Sequence, residues 1–86
     1  MNNELKKHIN KVLKALNLLK KWKYLPDVQK AIGYSYSLLD SLCSEGELDK
    51  KGREALKSSL NKIKTDVLIG NKEIIDSINK IFEAIN

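Results

Sequence analysis

Apolar residues fall along this chain at helical spacing, with polar residues between them. Leu5, Ile9, Val12, Leu16 and Leu19 step by 4, 3, 4 and 3, which keeps them on one face of a helix predicted from about Asn3 to Tyr24. Leu13 and Trp22 widen that stripe. Asn2 or Asn3 can cap the first turn; Glu4 suits the positive end of the helix dipole, and Lys20, Lys21 and Lys23 suit the negative end. Pro26 stops this helix, because the residue before a proline avoids the α region, and opens the next, because its fixed φ fits a first turn. Val28, Ile32, Leu39 and Leu42 form the second stripe, with Ala31 and Leu38 beside it, and Ser44-Glu45-Gly46 ends it. Gly33 lies inside, at a cost of roughly 1 kcal/mol relative to Ala, which points either to a close helix crossing or to a turn.

A third helix is predicted to start with Asp49 as its cap, its stripe being Leu56, Leu60, Ile63 and Val67. Gly70-Asn71 reads as a C-cap followed by a new N-cap. Ile74, Ile78, Ile81 and Ile85 then make a fourth stripe, flanked by Ile75 and Phe82. Four apolar stripes on short connections predict an all-α, antiparallel up-down four-helix bundle, a single domain over residues 1–86. The heptad phase survives Gly70, so three helices with the last one long and bent there is the alternative.

Composition narrows this further. The 86 residues suffice for one domain, and 42% hydrophobic with 31% charged residues supplies both a core and a solvated surface, which excludes disorder as the default. Four Gly and one Pro are too few for a turn-rich all-β chain. No apolar run is long enough to span a bilayer, and MNNELKKHIN lacks the apolar stretch of a signal peptide. With a single Cys, this predicts a cytoplasmic chain. Cys43 reads as a packed thiol, or as a redox or intermolecular one. One His and one Cys cannot build a structural zinc site, and His8 reads as a surface or boundary residue. There is no Gly-rich phosphate loop, paired His, HExxH or nucleophile elbow, so neither an enzyme nor a cofactor is expected.

The net charge of +5 is concentrated. Residues 1–33 hold eight Lys against Glu4 and Asp27, or +6, and the remainder holds −1. Lys7, Lys11, Lys14 and Lys21 share one side of the first helix, either as a solvated face or as a surface for a nucleic-acid backbone, an anionic membrane or an acidic partner. Four of the five aromatic residues, Trp22, Tyr24, Tyr34 and Tyr36, lie close together in sequence. They serve either as contact residues, since Trp and Tyr bring large area at low entropic cost, or as core closers with Trp22 innermost. Gly33, Ser37, Ser41 and Ser44 form a row of small residues that admits a neighbouring helix, from this chain or from a partner. The expected partner-binding set is Trp22, Tyr24, Tyr34 and Tyr36 for contact, with Lys11, Lys14 and Lys21 for steering.

The stretch Leu68-Ile69-Gly70-Asn71-Lys72-Glu73-Ile74-Ile75, running into Ile78, Ile81 and Ile85, resembles the last helix of class II bacteriocin immunity proteins. The resemblance extends to the helix layout from Lys23 onward, about two-thirds of the chain. It implies a small, basic, cytoplasmic four-helix bundle that shields a membrane target from the inside through a complex with it. Many such proteins carry a specificity-setting tail beyond the last helix, whereas this sequence ends at Asn86. A phage lysis-control or anti-defence regulator shares the same features. The expected function is therefore a non-enzymatic inhibitor or immunity-type factor that binds a protein partner. The alternative is a DNA-binding helix-turn-helix over Val28–Leu39 with Gly33 in the turn, although Ser35 to Ser44 offers no Arg or Lys to DNA. The heptad steps and the small row also permit a homodimer.

Overall fold

Each helix begins where the local sequence can satisfy or spare free backbone amides. A computed structural model describes residues 1–86 and contains α1 (Asn3–Leu19), α2 (Pro26–Glu45), α3 (Lys50–Asp66) and α4 (Lys72–Ile85). Asn2 Oδ1 accepts from the Leu5 N–H at 2.7 Å, Asp49 Oδ1 from the Gly52 N–H at 2.7 Å, and Asn71 Oδ1 from the Ile74 N–H at 3.3 Å. At α2, Pro26 occupies the first turn, where its missing N–H costs nothing. Gly46, at φ 85°, closes α2 with its N–H on the Leu42 carbonyl.

The four helices form an antiparallel up-down bundle. Asp27 meets Lys62, and Leu42 lies near Arg53, so α2 and α3 run in opposite directions. His8 meets Ser77, and Lys11 meets Glu73, so α1 and α4 also run in opposite directions. Lys64 reaches Asn79 while Lys57 reaches Asn86, which does the same for α3 and α4. Leu5 lies near Leu42, and Lys20 covers Tyr36, which completes the circuit between α1 and α2. Helices that are neighbours around the bundle touch, and the α3–α4 seam is the slightest.

The core follows the stripes. Ile9, Val12 and Leu16 of α1 are buried with Val28, Ile32, Leu39 and Leu42 of α2. Leu56, Leu60 and Ile63 of α3 meet Ile74, Ile78, Ile81 and Ile85 of α4. Four buried positions fall outside those stripes: Ala31 beside the α2 stripe, Leu68 on the α3–α4 connection, Ser35 and Ser77.

Three sequence expectations are corrected, and the three-helix alternative is excluded. α1 ends at Leu19, not Tyr24. Beyond Leu19 three lysines in four residues interrupt the apolar stripe, and the N–H groups of Lys21 and Trp22 turn back to Leu18 and Leu19 at i−3. Trp22 thus leaves the stripe and is 67% exposed instead of closing the core. Gly70, at φ 87°, sits in a true break between α3 and α4, so the long bent helix does not form. Gly33 lies within the unbroken α2, so there is neither a turn nor a helix-turn-helix. Nor is it a close crossing: a Cβ placed there meets nothing within 4 Å.

Candidate binding surfaces

The aromatic residues that cluster in sequence are divided in space. Tyr34 and Tyr36 are two residues apart on α2 and therefore point to different sides of the helix. Tyr36 is half-buried, faces α1, and lines a shallow groove with Asn10, Leu13, Lys14 and Asn17. The Lys20 ammonium stands 3.6 Å from its ring centroid, a cation–π contact that ties the end of α1 to α2. Tyr24 is half-buried and packs on the core. Tyr34 is 58% exposed and faces the α3 side.

Tyr34 stands between two grooves. One, of about 390 Å³, is lined by the small side chains of Ala31, Ala55, Ser58 and Ser59 and by the charged Asp27, Lys30 and Lys62. The other is formed by Lys30, Gly33, Tyr34 and Ser37. Gly33, Ser37 and Ser44 are exposed and Ser41 is half-buried. The small-residue row therefore runs along the outer side of α2 and serves no helix crossing inside the bundle.

The lysine set is also divided. Lys11 forms an ion pair with Glu73 at 3.2 Å and bridges α1 to α4. Lys14 and Lys21 are exposed and have no carboxylate partner. Of the seven predicted residues the structure thus brings together Lys14 and Tyr36, leaves Tyr34 apart on the α3-facing side of α2, and places Trp22 and Lys21 on the α1–α2 connection.

Two polar clusters join neighbouring helices without a motif in the local sequence. His8 Nδ1 lies 3.0 Å from Ser77 Oγ, and His8 Nε2 lies 3.7 Å from Glu4. The order Ser–His–Glu has the composition of a nucleophile, base and orienting acid. Ser77, however, is only 1% exposed, so its hydroxyl meets no substrate while the bundle is folded. The group links α1 to α4. Its signal in the sequence was the antiparallel register, which sets His8 beside Ser77. The second cluster joins Lys62 to Asp27 at 3.1 Å and Asp66 at 2.6 Å. Hydrogen bonding to Lys62, reinforced by its charge, holds the Asp27 carboxyl below its ordinary value against some desolvation. The same contacts, Asp66 first and Asp27 second, raise Lys62 above its ordinary value.

Comparison of the chain with protein-family models, with curated proteins and with solved structures finds no match.

Proposed function

We propose that this chain is a non-enzymatic binding protein, an inhibitor or immunity-type factor that grips a protein partner with the outer face of α2 around Tyr34. One observation carries this reading: a large, rigid, exposed side chain stands between two grooves lined in part by small residues. Tyrosine in such a place brings contact area at the cost of fixing only two torsions. The small row of Gly33 and Ser37 leaves room for a partner helix to lie along α2. Lys30 borders both grooves, and the unpaired Lys14 and Lys21 add positive field, so an acidic partner is favoured. The resemblance to immunity proteins supports a partner held at the inner face of a membrane. A phage regulator works through the same surface.

The test is affinity capture from native-host extract, including detergent-solubilised membranes, with and without nuclease. The expected result is one protein in near-stoichiometric amount, insensitive to nuclease and lost with Tyr34→Ala and with Ser37→Trp. Circular dichroism checks that both variants are folded. Partners that vanish on nuclease treatment, or that survive both substitutions, overturn the proposal.

A further inference from the structure

Six large apolar side chains are exposed in this protein, and four of them share one end of the bundle. Leu18 is on the last turn of α1, Trp22 and Leu25 are on the α1–α2 connection, and Ile69 is on the α3–α4 connection. The up-down topology brings these two connections to the same end. Their exposures are 60%, 67%, 73% and 77% respectively, so none is a partly packed core residue. The opposite end is built differently. There the single α2–α3 connection holds Glu47 and Asp49, and its one large apolar residue, Leu48, is tucked against the core.

Charge at the apolar end is just as one-sided. The α1–α2 connection carries Lys20, Lys21 and Lys23 and no acid, and Lys72 opens α4. None of these four lysines has a carboxylate partner. The carboxylates closest to this end do: Asp27 and Asp66 are held by Lys62, and Glu73 by Lys11. Each of these carboxylates is engaged by a lysine within the fold, Asp27 and Asp66 sharing one, whereas the four lysines have no such partner.

From this geometry we infer that the end of the bundle formed by the α1–α2 and α3–α4 connections docks on an anionic lipid bilayer. Apolar and cationic side chains alternate there, which suits a headgroup layer: Trp22, Leu25, Leu18 and Ile69 enter it while lysine stems lie along it with their ammonium groups at the phosphates. Trp22 bonds to the protein through its backbone alone, by its N–H to Leu19 and its carbonyl from Gln29, so the indole is available at the interface, where Trp is favoured. The four apolar side chains line none of the grooves of the molecule, and a fluid surface takes exposed side chains without a matching pocket. Docked this way, the bundle stands upright and α2 presents Tyr34 sideways, toward anything embedded in the same membrane. No helix is long and apolar enough to cross the membrane, so attachment is peripheral and reversible.

Trp22 is the only tryptophan, so its emission reports on this end alone. Purified protein is titrated with vesicles of phosphatidylcholine and phosphatidylglycerol in equal parts, and with vesicles of phosphatidylcholine only. The expected result is a blue shift and co-sedimentation with the anionic vesicles, weakened by salt, and little of either with the neutral ones. Lys21→Gln with Lys23→Gln lowers partitioning roughly 25-fold, at about fivefold for each charge. Leu25→Ser and Trp22→Ala each lower co-sedimentation, and Tyr34→Ala leaves it unchanged. No response to anionic vesicles at low salt, equal binding to neutral ones, or indifference to the lysine and apolar substitutions overturns the inference. A protein captured from extract and lost with Trp22→Ala, in the absence of vesicle binding, assigns this end to a protein contact instead. Because the vesicles contain no protein, the outcome is independent of whether Tyr34 grips a partner.

Discussion

The side-chain amide of Gln29 donates to the carbonyl oxygen of Trp22 at 3.0 Å. This contact joins the first turns of α2 to the connection that precedes it. Residues 20–25 are otherwise anchored by the N–H groups of Lys20, Lys21 and Trp22 on the end of α1, by the Leu25 carbonyl accepting from the Gln29 N–H, by the Lys20–Tyr36 contact and by Tyr24 against the core. Gln29→Ala removes one exposed hydrogen bond, so the expected loss of global stability is only about 0.5–1 kcal/mol. The larger effect is local. Amide exchange at residues 21–25 accelerates while protection in α3 and α4 stays as it was. Hydrogen exchange read residue by residue checks this, and uniform acceleration throughout the bundle would contradict it.

Ser35 and Gly33 are neighbours on α2 with opposite surroundings, and both are improved by alanine. The Ser35 hydroxyl is fully buried and has no hydrogen-bond partner. Its removal relieves an unmet desolvation cost, and Ser35→Ala is expected to stabilise the protein by about 1 kcal/mol. Gly33 has ordinary helical φ and open space where a Cβ would lie. Gly33→Ala is therefore expected to gain about 0.5–1 kcal/mol from helix propensity alone. The two residues are close together on one helix, so the double variant shows whether the gains add. Denaturant unfolding curves with equal slopes and shifted midpoints provide the measurement.

Leu60 tests the core itself. It is fully buried on α3 among the apolar residues of the bundle interior. Leu60→Ala is expected to cost about 2–5 kcal/mol. Leu60→Asp places an unpaired charge there and is expected to abolish the folded state at neutral pH. Loss of the helical circular dichroism signal checks the second variant, and a cooperative transition at a lower midpoint checks the first.

Much of this bundle was legible because its stripes are long and regular. The spacing of Ile74, Ile78, Ile81 and Ile85 predicts core and they are core; Asp49 and Asn71 stand where caps are expected and accept the bonds of caps. The misreadings arose where tertiary geometry overrides local spacing. Trp22 continues the α1 heptad on paper, yet the helix has already ended, so the residue projects outward. Ser35 and Ser77 are polar and were passed over, but each lies among stripe residues that carry it inward. The candidate surface was harder still. Proximity in sequence suggested one aromatic cluster, but helical rotation separates Tyr34 from Tyr36. The apolar end formed by Leu18, Trp22, Leu25 and Ile69 draws on two connections distant in sequence, and becomes visible only when the topology brings them together.

Lys62 gives the protein a defined response at both ends of the pH range. Its hydrogen bond, and then its charge, hold Asp27 below the ordinary 3.8, while hydrogen bonds from Asp66 and then Asp27 hold Lys62 above the ordinary 10.5. A depressed carboxyl contributes stability that is fully present above its unfolded value and lost as pH falls through its folded value. A raised ammonium contributes stability that is fully present below its unfolded value and lost as pH rises through its folded value. The cluster is open to solvent and therefore small in energy and sensitive to salt. Lys62→Gln removes the cause of both shifts. The expected outcome is a stability profile displaced downward over the plateau between the two titrations, with shallower decline on the acid side below 3.8 and on the alkaline side above 10.5. Unfolding free energies across that range, at low and at high salt, measure it. A variant whose profile has the same steepness as the parent's on both limbs would show that other groups control the pH response, and that the triad only fixes the positions of α2 and α3.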